Sequence, residues 1–280
     1  MKMIDEITEV LGNSHFEAYI GGPIAGIVAS VIFSWLNSPS NSGSGAQRPG
    51  DVYIQINHQY RSETGERRNK ASSGGSDDPT VAIGIGLLGL VASFLFVAYL
   101  PQISFALYFG ITSVCTFILS SCVIFWISGR HDASEWLRYT VIPLLLSLGG
   151  LYIAVQAKLA IIPDVINYAH NLLGNGKITF ALILNSTITF YRNISNGYAQ
   201  WIIFQMAAFF LVGLSTLVAF LAWLYFTALA NVQASGGIFW KRVVIATHRY
   251  SGVGSTFLAV MFLIVAWLCA SGEAYYFLAR

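Results

Sequence analysis

The sequence predicts an all-α integral membrane protein of five or six transmembrane helices with one short cytoplasmic β-strand. Residues 80–128 contain no Asp, Glu, Lys or Arg, and about 20 apolar residues at 1.5 Å each cross the hydrocarbon core of a bilayer. Hydrophobic residues make up 55% of the chain and charged residues 10%, against roughly 25% charged in a soluble domain. Residues 51–61 alternate with the two-residue period of a strand.

The chain divides into an N-terminal segment (1–36), a linker (37–80) and a helical membrane domain (81–280). Asp5, Glu6, Glu9 and Glu17 stand against Lys2 alone, so the basic start of a secretory signal is missing. Residues 18–36 are apolar and carry Gly22 and Gly26, a small-xxx-small spacing that lets helices approach closely. The stretch is just long enough to span; a shorter helix lying against the other spans or in the interface is the alternative.

The linker is Ser/Gly-rich on both sides of residues 51–61. In an extended chain Val52, Ile54, Ile56, His58 and Tyr60 fall on one side, and Tyr53, Gln55, Asn57, Gln59 and Arg61 on the other. A lone strand leaves its backbone groups unpaired, so it requires a partner from another chain. The expectation is therefore a homo-oligomer held by an oligomerisation strand at Val52, Ile54, Gln55, Ile56, Asn57, His58 and Tyr60; the alternative is a disordered tether.

Within 80–128, Pro101-Gln102 predicts a tight turn between two spans, 81–100 and 103–127. The next span is 139–156, with Pro143 near its start, where proline is tolerated, and Gly149-Gly150 at its centre. The extracytoplasmic loop 158–199 contains a helix start at Pro163-Asp164, an apolar stripe (Val165, Ile166, Ala169, Leu172, Leu173) and a stop at Gly174. Residues 179–191 are apolar but too short to span. Residues 164–191 as a whole are too apolar to stand in water and are expected to pack on the spans. Residues 200–231 would make a helix of about 48 Å, longer than the bilayer core, so it must tilt, kink or protrude. Residues 236–250 mix aromatic and basic side chains as an interfacial helix does. The last span covers about 254–276.

Counting alternate sides, Arg48, Arg61, Arg67, Arg68, Lys70, Arg130, Arg138, Lys241, Arg242 and Arg249 face Lys2, Lys158, Lys177, Arg192 and Arg280. The positive-inside rule puts the first group, and with it residues 37–80, in the cytoplasm, and the 158–199 loop outside.

No catalytic constellation is present, so the protein reads as a non-enzyme. Gly84, Gly86 and Gly89 have dinucleotide-loop spacing but lie in an apolar run, where they read as helix-packing glycines. His131-Asp132 has no further metal-ligand pattern, and the three cysteines (Cys115, Cys122, Cys269) read as small apolar packing residues. Neither a cofactor nor a metal is expected, nor direct binding of duplex nucleic acid, on which a net charge of +2 by itself says little. The bilayer itself is the certain partner of such a chain. Inside the membrane the polar groups are hydroxyls and amides: Thr112, Ser113, Thr116, Ser120, Ser121, Gln205, Ser215, Thr216 and Thr227. These glue helices or line a conduit formed on assembly. The candidate pore or gate residues are Glu273, Gln205, Thr216 and Ser120; for Glu273 an interfacial carboxylate paired with Arg280 is the alternative.

Ile54-Gln55-Ile56 resembles the hydrophobic-Gln-hydrophobic-Gly core of RHIM-type and bacterial amyloid signalling motifs, with Asn57 in the glycine position. The layout is similar to that of polytopic membrane effectors of bacterial antiphage defence. That resemblance implies an inner-membrane location and a cytoplasmic segment sensing a small-molecule or nucleotide ligand, or a partner protein. The expected function is an oligomeric channel-like or membrane-perturbing effector; the alternative is a non-conducting scaffold or accessory subunit of a larger complex.

Overall fold

The computed structural model describes residues 23–24, 26–28, 79–127, 140–174, 179–235 and 238–278. The regular structure among them is entirely helical. The helices are α1 (Pro79–Ala98), α2 (Leu100–Ile127), α3 (Ile142–Leu159), α4 (Pro163–Leu173), α5 (Phe180–Asn193), α6 (Asn196–Ser235), α7 (Ile238–Thr247), α8 (Val253–Ser271) and α9 (Glu273–Leu278). A 3₁₀ turn, His248–Tyr250, follows α7. The expected strand residues Val52, Ile54, Gln55, Ile56, Asn57, His58 and Tyr60 lie outside the described residues.

Among the described residues, four segments are long and apolar enough to cross a membrane: Leu100–Val123 in α2, Ile142–Leu159 in α3, Asn196–Leu229 in α6 and Val253–Ser271 in α8. The expectation of five or six counted 81–100 and 18–36 as well. α1 (Pro79–Ala98) is 20 residues long and carries no charged side chain. Of 18–36, five residues are described, all helical. Among them Gly26 is buried against α2: a Cβ there would stand 2.6 Å from the Ser113 carbonyl oxygen and 2.8 Å from Thr116 Cβ. This is the close approach that the small-residue spacing predicts.

The turn expected at Pro101 does not reverse the chain. The Tyr99 amide donates to the Leu95 carbonyl (3.0 Å), and the Ile103 amide to that of Tyr99 (2.9 Å), so helical bonding bridges the junction. Pro101 removes one donor from the ladder and crowds the preceding turn, which bends a helix without ending it. α1 and α2 are therefore one bent rod, and they touch each other only where they join.

α6 is the central helix, packed most extensively on α8 and α3, while α2 packs on α3. Between α3 and α6 the chain builds a cap. Pro163 opens α4 with Asp164 in its first turn, where the helix dipole favours a carboxylate. Thr179 caps α5 by accepting from the Leu182 amide at 3.3 Å. Ser186 Oγ donates to the Leu172 carbonyl (2.9 Å), and Asn193 Nδ2 to the Tyr168 hydroxyl (2.7 Å), which joins α5 to α4. Phe94 of α1 meets Phe190 of α5 with ring centroids 5.3 Å apart. Ser93 Oγ and the Tyr191 hydroxyl share a 2.6 Å hydrogen bond. Ala169, Leu173 and Phe190 join the same buried core as Ile111, Val212 and Ala266 of the spans. The described parts of 164–191 pack on α1 and share the buried core of the bundle, as their apolarity predicts.

Candidate functional site

The polar side chains of α6 form the most distinctive internal feature. Gln205, Thr216 and Thr227 stand eleven residues apart, close to three turns of helix, so they recur on one face at intervals of about 16 Å. Each is buried, Gln205 completely. Gln205 Nε2 donates to the Cys269 carbonyl at the end of α8 (3.4 Å), while its Oε1 has no partner. Thr216 Oγ1 and Thr227 Oγ1 are buried without partners as well. Thr216 faces α3 at its glycine pair, where a Cβ on Gly150 would lie 3.5 Å from Thr216 Oγ1 and 3.2 Å from Val212 Cγ1. Ser215, beside the ladder, is satisfied: its hydroxyl donates to the Ala259 carbonyl at 2.9 Å. A buried polar atom left unpaired costs about 1–3 kcal/mol, so three on one face call for an explanation.

The sequence-predicted gate residues separate into three places. Gln205 and Thr216 belong to this ladder. Ser120 does not: its hydroxyl donates to the Thr116 carbonyl (2.7 Å), and Thr116 donates in turn to that of Thr112 (2.8 Å). This α2 hydroxyl stripe shares its face with the crossing at Gly26, where Thr116 is touched. Glu273 is exposed at the start of α9, past the end of the last span. Among the described residues no group of three or more metal-ligating side chains comes together.

A second feature was not legible in the sequence. Where the rod passes α6, beside Pro101, lies an apolar groove of about 540 Å³. Leu95, Phe96, Tyr99 and Leu107 line one wall, and Phe209, Phe210 and Gly213 the other. Its signal lay in Pro101, which marked a break of some kind but not the direction in which the chain leaves it.

No protein-family model matches the chain, no curated protein matches it, and no solved structure matches its fold.

Proposed function

We propose that the protein is a homo-oligomeric, channel-like or membrane-perturbing effector, opened by a cytoplasmic small-molecule or nucleotide ligand or by a partner protein acting on residues 37–80. The layout it resembles would place that activity in antiphage defence at a bacterial inner membrane. The observation that carries the reading is the ladder of Gln205, Thr216 and Thr227, with Gln205 Oε1 and both threonine hydroxyls unpaired in the core. Within hydrocarbon such groups are retained where water or a permeating species can serve as partner. Subunits that shift on assembly or ligand binding would bring the ladder to a hydrated path. The linker is assigned to the cytoplasm because Arg48, Arg61, Arg67, Arg68 and Lys70 make its side the more basic whether the rod crosses the bilayer once or twice.

The non-conducting scaffold is the second reading. Its support is that apolar Val212, Ala219, Ala222 and Trp223 are buried along α6 between the polar rungs, so no polar path is continuous along this helix. Purified protein in planar bilayers, challenged with nucleotide-class ligands, separates the two. Gated current that falls at least severalfold in Gln205→Leu and Thr216→Val supports the effector. Silence under every ligand, from protein shown to be folded and oligomeric, supports the scaffold.

A further inference from the structure

α7 packs on the tail of α6 through Trp240 and Val244, which are buried against Tyr225, Ala228 and Val232. α6 and α8 each carry a candidate membrane span, and α7 lies in the short connection between them, where the chain turns back at a membrane surface. Its opposite face is exposed and sorted by chemistry: Ile238 and Phe239 are apolar, while Arg242 and, beyond the helix end, Arg249 are cationic, with Lys241 half-buried at the edge. The segment after α7 is built rather than loose. Ser251 Oγ donates to the His248 carbonyl (2.7 Å), Ser255 Oγ to that of Tyr250 (2.6 Å), and the His248 ring meets Tyr225 edge-on. No Asp or Glu occurs anywhere from residue 165 to residue 272, and the flanking acids, Asp164 and Glu273, sit on α4 and α9 at the cap end of the bundle.

We propose that the outward face of α7 and the turn after it bind the headgroup phosphate of an anionic phospholipid, with Arg242, Arg249 and Lys241 as the phosphate ligands. Ile238 and Phe239 enter the acyl region below, as the apolar side of an interfacial helix does. The occupant is a lipid rather than a soluble anion because exposed Arg242 stands one helical turn from the exposed apolar pair Ile238 and Phe239, in a connection between two candidate spans. Guanidinium groups suit phosphate, which they contact through two parallel hydrogen bonds.

The test is a native mass-spectrometric titration of the full-length protein with phosphatidylglycerol and with phosphatidylcholine, repeated with inorganic phosphate. Phosphatidylglycerol should bind at least tenfold more tightly than phosphatidylcholine. At roughly a fivefold loss of affinity for each surface cation removed, Arg242→Gln/Arg249→Gln should weaken phosphatidylglycerol binding by about thirtyfold and zwitterionic phosphatidylcholine binding much less, so that the preference collapses. Arg192→Gln, at the cap end, should change neither. If the double variant folds poorly, the wild-type preference for phosphatidylglycerol must still fall steeply between low and high salt. Equal binding of the two lipids overturns the proposal. So does an unchanged preference in the variant, or inorganic phosphate displacing the lipid at submillimolar concentration, which would assign the site to a soluble anion.

Discussion

Gly272 shows how one residue holds two spans in place. Its φ of +85° closes α8 in the left-handed region, and a Cβ would stand 2.5 Å from the Trp201 ring. That ring is itself fixed by its Nε1–H donating to the Ala160 carbonyl at 3.1 Å, which ties the end of α3 to the start of α6. Gly272→Ala should therefore cost about 2–4 kcal/mol, combining left-handed strain with overpacking. Adding Trp201→Leu should recover only the packing part of the loss, read by denaturation in mixed micelles. Tyr191 makes a second prediction. Burial raises its phenol above the ordinary value of 10.0, partly offset by the hydrogen bond shared with Ser93. A group whose folded-state value is raised contributes stability below its unfolded value and loses it as pH rises through the folded one. Stability should thus fall with alkalinity, beginning above about pH 10, and the part of that fall due to Tyr191 should be absent in Tyr191→Phe, measured as midpoint against pH.

At the scale of elements, the junction at Tyr99–Pro101, bridged by helical hydrogen bonds, decides the placement of α1. Spin labels at Gly86 and Gly110, where an added side chain meets nothing within 4 Å, would lie about 36 Å apart on a straight helix. The bent rod should give a shorter distance, and Pro101→Ala should lengthen it toward that value as the missing donor returns; a distance near 10 Å would mean that the chain folds back as a hairpin. What the sequence could and could not reveal follows the same division. Length and apolarity located α2, α3, α6 and α8, because crossing hydrocarbon demands them of any sequence. The cap was legible through Pro163, the stripe ending at Leu173 and the short run over 179–191, since local chemistry sets helix ends. Pro101 was ambiguous because proline is compatible with a turn and with a kink, and only the packing of Phe94 and Ser93 on α5 selects the kink. Gln205 and Thr216 were visible as polar residues in an apolar run, but their partnerless state depends on neighbours from other helices that periodicity does not name.

At the scale of the molecule, the rod changes which parts share a side of the membrane. The start of α2 lies at the end of the bundle where α3 finishes and α6 begins, because α2 and α3 run antiparallel across a single connection and Tyr108 of α2 reaches the Ala154 carbonyl. α1 continues from that end and packs on the cap helices α4 and α5. A hairpin at Pro101 would instead return Pro79 to the far side, with the α6–α8 connection, the grouping that the charge count over alternate sides assumed. The rod leaves Pro79 at the cap end of the bundle, so in this arrangement the chain would enter α1 on the cap's side. Reporter insertions before Pro79, after Gly174 and after Ser251 distinguish the two arrangements. The expected outcome is that the first two report the same compartment and the third the opposite one. If Pro79 instead reports with Ser251, residues 79–98 cross the bilayer on their own, the contacts of α1 with the cap do not form in the membrane, and the groove between the rod and α6 goes with them.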